Sequence, residues 1–266
     1  MFNIMKAQIY QTVRNNFIYY VLFALLCIFI VPEVVTMDAD MRTDLNGSLG
    51  LMLYAGSIPL ACELIALLLT THICGTDQSD HTINYEIMNG TRRSAVYLGR
   101  VLVSVMLCFV FAAIVIALPI LIAGLYGGEW GVCITAQDAL LRSVSALAPF
   151  IRSILFFAFM TFLIGDGKLA MVMNILLTFI ASLLFSITDE MNLRCVLLDH
   201  LTGLSAMSRL FDMSNKRISY IGDKACWIVS ETLQQKDALQ VVLISLGISA
   251  VLLAAGLLLF RRKDLK

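Results

Sequence analysis

The side chains that could do chemistry in this chain are few, and most of them stand alone. The three histidines are His72, His81 and His200. A zinc peptidase sets two histidines one helical turn apart with a glutamate beside the first, and no pair here has that spacing. A serine nucleophile of the G-x-S-x-G type needs glycine on both sides, and Gly203-Leu204-Ser205-Ala206-Met207 lacks the second. Gly165-Asp166-Gly167-Lys168 carries the lysine of a phosphate loop. Leu169 stands, however, where Ser or Thr must bind magnesium, and Phe162 stands where the loop must open on glycine. It reads as a hairpin turn. The seven cysteines form no cluster of metal-ligand spacing. No catalytic, metal or cofactor-binding residue is assigned in this chain.

Glu63, Arg152 and Asn174 are of another kind. Each lies inside a long apolar stretch, where a polar side chain is costly and faces a bundle interior or a wet path. Six such stretches run over 17–35, 49–70, 98–123, 144–164, 169–187 and 239–260. Each has about 19 residues or more, enough at about 1.5 Å per residue to cross a hydrocarbon core of about 30 Å. The expected fold is an all-α membrane protein with six transmembrane helices, one domain over residues 1–266. Composition agrees: 59% of residues are hydrophobic and 14% charged, against about 25% charged in a soluble domain. The formal net charge is zero, so nothing points to nucleic acid. The first stretch is too long for a signal peptide and has no small-x-small cleavage site after it, so it reads as a retained span.

Charges in the short loops set the orientation. Lys6 and Arg14 precede the first stretch, Arg92 and Arg93 lie in the second loop, Lys168 in the fourth, and Arg261, Arg262, Lys263 and Lys266 at the tail. The opposite loops dilute Arg42 and Arg142 with acids. Both termini are therefore expected in the cytosol, in a cell membrane. That orientation puts Glu63 in the inner half of the second span and Arg152 in the outer part of the fourth. Glu63 either lines a path or locks packing by pairing with a neighbouring helix. Arg152 can snorkel to the outer headgroups. Asn174 suits an interhelical hydrogen bond.

Two amphipathic segments flank the spans. Leu193, Leu197, Leu201, Leu204, Met207 and Phe211 recur at steps of three and four, predicting an outer amphipathic or re-entrant helix before the last span. Ser214 to Ser219 is polar and reads as loop. Phe2, Met5, Ile9 and Val13 share one face of an interfacial helix at the N-terminus. All four prolines, Pro32, Pro59, Pro119 and Pro149, fall in or at the edge of a span; Pro32 and Pro149 either bend a helix or mark its end. Cys133, Cys195 and Cys226 fall in outer loops, where one disulfide could form.

The second loop, 71–97, is too patterned for a linker. Ile83, Ile87 and Met88 fall at helical spacing, Gly90 stops the helix, and Arg92 and Arg93 follow. Such a helix lies on a membrane or fills a groove on a soluble partner. The run from His81 to Arg100 resembles the first cytosolic loop of the ABC-2 type permeases, with Thr82, Ile83, Gly90, Arg93, Tyr97, Leu98 and Arg100 in register. The closing Phe260-Arg261-Arg262-Lys263-Asp264-Leu265 and the six-span layout are similar too. His81 departs from the family's usual glycine, and Arg92 from a small residue.

The resemblance implies a cytosolic coupling helix seated on a separate ABC ATPase subunit, with Ile83, Glu86, Ile87, Met88, Gly90, Arg92 and Arg93 at the contact. ATP and magnesium would be bound by that partner, and a second permease, identical or different, would complete the complex in the lipid bilayer. The expected function is the permease subunit of an ATP-driven exporter of peptides, drugs or lipid-like molecules. The alternative is a non-transporting scaffold or sensor that recruits a cytosolic partner. An intramembrane enzyme is a distant third, because its motifs are absent.

Overall fold

The structure, a computed structural model, describes residues 2–16, 18–28, 57–79, 87–88, 90–125, 136–190, 202–211, 216–221, 224–229 and 235–262. The elements are α1 (Phe2–Val13), α2 (Ile18–Ile28), α3 (Ser57–Ser79), α4 (Arg93–Leu125), α5 (Ala136–Ile164), α6 (Gly167–Glu190), α7 (Gly203–Leu210), β1 (Lys216–Ile221), β2 (Lys224–Val229) and α8 (Gln235–Arg262). Among the described residues, five helices are long and apolar enough to cross a bilayer, with windows at Ile58–Thr76, Arg93–Leu118, Leu140–Ile164, Gly167–Leu184 and Ala238–Arg261. This is a multi-pass helical membrane protein. Of the first expected span, α2 is described; residue 17 and residues 29–35 lie outside the described residues. Large apolar side chains stay exposed on the outer helices, among them Val172, Leu176 and Phe179 of α6 and Leu243 and Val251 of α8. In water that surface would be a liability; in a bilayer it is the face that acyl chains solvate.

The hub is α3, which packs against α4, α5, α6 and α7. Of its membrane window 78% lies inside the molecule, against 11% for that of α6. Helix α3 continues past residue 70 to Ser79, and residues 49–56 of the expected second span lie outside the described residues. Thr70, Thr71 and Cys74 look like the polar end of a span, yet all three are buried between helices.

One end of the bundle is closed by direct contacts. Gly165, at φ 82°, turns α5 into α6, and the Asp166 carboxylate caps α6 by accepting from the N–H groups of Lys168 and Leu169 at 2.9 and 3.4 Å. A Cβ on Gly75 would stand 2.6 Å from the Gly167 Cα, so α3 and α6 meet backbone to backbone. Tyr97, near the start of α4, packs on Phe162 and Phe260 at the ends of α5 and α8, with ring centroids 4.8 and 6.1 Å away. A Cβ on Gly256 would collide with the Tyr97 phenol. These contacts bring the starts of α4 and α6 to the ends of α3, α5 and α8, so consecutive spans run antiparallel.

The first helix lies across this end. Ile4 and Met5 meet Gly99, and Asn15 bonds His72 at 2.9 Å. The face of α1 differs from the expected one: Ile4, Gln8 and Thr12 are buried, while Val13 is exposed. The helix packs on protein, and there Gln8 and Thr12 are as useful as apolar residues.

At the opposite end, α7 packs on α5, α3 and α8. Thr202 and Ser205 cap it reciprocally: the Ser205 N–H donates to Thr202 Oγ1 at 3.1 Å and the Thr202 N–H to Ser205 Oγ at 3.2 Å. Its last turn is held by Arg142 of α5, whose Nη1 donates to the Leu210 carbonyl at 2.8 Å. The segment after α7 is not the expected loop: β1 pairs with β2 in an antiparallel hairpin, with Lys216 opposite Val229 and Ile221 opposite Lys224.

Candidate functional site

Sequence read Glu63 in the inner half of the second span and Arg152 in the outer part of the fourth; the structure sets Glu63 beside Arg152 and Ser153 of α5. Glu63 and Arg152 are each only 3% exposed. Their charges are coupled, and the Ser153 hydroxyl meets the Glu63 carboxylate. That hydroxyl also lies 3.2 Å from the Pro149 carbonyl, and its single proton can serve one acceptor at a time. Among the described residues, Glu63 Oε2 and Arg152 Nη1 and Nη2 have no hydrogen-bond partner. Arg152 therefore does not snorkel; its head is enclosed within the bundle.

Two features of the backbone adjoin this pair. Pro149 sits inside α5, not at its end, and removes the helical bond to the Ser145 carbonyl. Gly203 opens α7 directly against Ser153 and the Pro149 carbonyl, where a Cβ would collide with Ser153 Oγ. The partially positive start of α7 thus lies beside the serine that meets Glu63. On α8, which packs along α5, Ser245 and Ser249 are buried too. Ionisable side chains enclosed at membrane depth are costly, and Glu63 and Arg152 are such a pair of neighbours.

One turn away the walls become apolar. A cavity of about 370 Å³ lies between α3, α4, α5 and α7, with Cys62, Phe109, Phe150 and Met207 on its walls. Met207 and Phe211, from the amphipathic stripe predicted in sequence, both face it. Leu193, Leu197 and Leu201 lie outside the described residues.

Asn174 sits apart from this cluster. Its Nδ2 donates to Thr71 Oγ1 at 3.0 Å, joining α6 to α3. Among the described residues no three His, Cys, Asp or Glu side chains gather as a metal site needs. Cys226 lies on β2 opposite Ser219, whereas Cys133 and Cys195 lie outside the described residues.

The loop singled out in sequence is described from Ile87 onward, except residue 89; Ile83 and Glu86 lie outside the described residues. Ile87 packs against the cluster that holds Tyr97, Phe162 and Phe260. Met88 points away, 81% exposed. Gly90 adopts φ 85°, its N–H donating to the Ile87 carbonyl at 3.0 Å. Arg92 is exposed, and Arg93 reaches the Arg261 carbonyl at the end of α8 at 3.3 Å. So the loop sits at the closed end and the Glu63 cluster nearer the other.

Sequence reasoning missed Ser153, Gly203 and Thr71. Thr202-Gly203-Leu204-Ser205 does carry a readable signal, a hydroxyl cap with a second hydroxyl three residues on. Nothing in sequence pairs Thr71 with Asn174. No protein-family profile, curated protein or solved structure matches the chain.

Proposed function

We propose that this chain is the transmembrane permease subunit of an ATP-driven ABC exporter of the ABC-2 kind. In this reading both termini and the segment joining α3 to α4 are cytosolic, and a separate ATPase subunit binds ATP and magnesium. A second permease, identical or different, completes the complex. The cargo is a peptide, a drug or a lipid-like molecule. One observation carries the reading beyond the sequence resemblance. The segment 87–93 presents Met88 and Arg92 outward while Ile87 and Arg93 tie it to α4, α5 and α8. A push on that segment is delivered to three spans at once.

The test is a crosslink. Met88→Cys, in a variant without the native cysteines, should crosslink to its ATPase subunit, more strongly with ATP than without. The conservative Met88→Leu should leave co-purification intact. A Met88→Cys that instead reacts only with reagents confined to the extracellular side would overturn both the orientation and the coupling role.

A further inference from the structure

The apolar cavity opens where the protein meets lipid. Ala113 and Ala117 of α4 and Leu147 of α5 line it and are themselves exposed. They continue the lipid-facing rows of Val110 and Ile114 on α4 and of Leu140 and Val144 on α5. Its inner wall is different: Cys62, Phe150 and Met207 are 6%, 4% and 2% exposed. A path thus runs from the bilayer face to a wall that bulk lipid does not touch.

Three occupants compete for such a space. Water needs two to four polar partners, and among the described residues on the walls only Ser143 carries a hydroxyl. A vacuum forfeits the dispersion contacts of every wall atom. Hydrocarbon keeps those contacts, loses no hydrogen bond, and is the solvent outside the opening. A volume of about 370 Å³ also falls within the range of small-molecule sites, about 300 to 1,000 Å³.

We infer that this cavity is a binding site for an acyl chain of a bilayer phospholipid, entering between α4 and α5 and ending against Cys62, Phe150 and Met207. The site stands apart from the export reading, because a chain can seat there whether it is carried onward or stays. The chain wedges between α4 and α5 on one side and α7 on the other, so its presence supports the position of α7.

The wild-type protein tests this directly. It would be reconstituted in vesicles of phosphatidylcholine carrying a diazirine near the end of one acyl chain, irradiated, and mapped by mass spectrometry. The inference predicts adducts on Cys62, Phe150 or Met207, at yields comparable to those on exposed Leu176 and Phe179. Ala117→Phe, which fills the opening from its exposed rim, should abolish the inner adducts and leave those on α6 unchanged. Adducts confined to exposed residues of the wild type would overturn the inference, as would inner adducts that persist in Ala117→Phe. Neither result depends on ATP, so the export reading is not at stake in this measurement.

Discussion

The two ends of this bundle are packed differently. At the end that holds Gly90, Gly165 and Arg261, polar side chains join helices: Asn174 bonds Thr71, Asn15 bonds His72, and Arg93 reaches the Arg261 carbonyl. Glycines bring backbones and rings into contact there, Gly75 on Gly167 and Gly256 on Tyr97. Toward the other end, Glu63 and Arg152 are buried side by side and an apolar cavity lies close by. One end reads as a clamp, the other as the part whose contacts change.

Variants can break or sharpen this contrast. The largest effect is expected at Arg152. Arg152→Met removes the cation beside the buried Glu63 and should destabilise the fold by up to about 3 to 5 kcal/mol, and by less once the carboxyl takes up a proton. Glu63→Gln combined with Arg152→Met should recover most of that loss. Thermal unfolding in detergent checks both, and transport by the recovered double variant separates packing from path: intact transport would make the pair mere glue. A smaller loss is expected at the clamp. Gly75→Ala forces a methyl onto the Gly167 backbone and should cost about 1 to 3 kcal/mol, read as a lower melting temperature. An unchanged melting temperature would mean the α3–α6 crossing is not tight.

Asn174→Ala removes one interhelical bond and leaves the Thr71 hydroxyl unpaired. A loss of about 0.6 to 2 kcal/mol is expected by the same unfolding assay, with transport kept. Lost transport in a normally folded Asn174→Ala protein would move Asn174 from clamp to path. The smallest stability effect is expected at Met88, whose side chain is almost wholly exposed. Met88→Ala should change stability by less than about 0.5 kcal/mol and still weaken co-purification of the ATPase.

The spans were legible in sequence because a bilayer imposes a length that hydropathy can count, and α4, α5, α6 and α8 cover the stretches read from it. The surroundings of the far part of α3 were not legible. Thr70, Thr71, His72 and Cys74 lower the local hydropathy, and only the packed structure shows that neighbours, not water, receive them. Nor does spacing in the chain bring Glu63 beside Arg152, which packing of α3 on α5 does. The hairpin was missed for another reason. Gly222-Asp223 stands between two short β-prone runs, a recognisable hairpin signal that the nearby helical periodicity overshadowed. Sequence read Gly90 as the residue that stops a helix, and the glycine takes a φ of 85°; which side chain turns outward was open until packing placed Ile87 inward and Met88 outward.

The central claim is that this chain moves cargo at the cost of ATP hydrolysed by a partner. The most direct measurement is ATP hydrolysis and cargo movement in vesicles holding the wild-type chain and its ATPase. A cationic peptide, a hydrophobic dye and a fluorescent phospholipid serve as probes. The account predicts that at least one probe stimulates hydrolysis and crosses the membrane only with ATP, and that Met88→Ala uncouples the two. A partner that binds the 87–93 segment while no probe stimulates hydrolysis or moves would contradict the exporter reading and favour a recruiting scaffold.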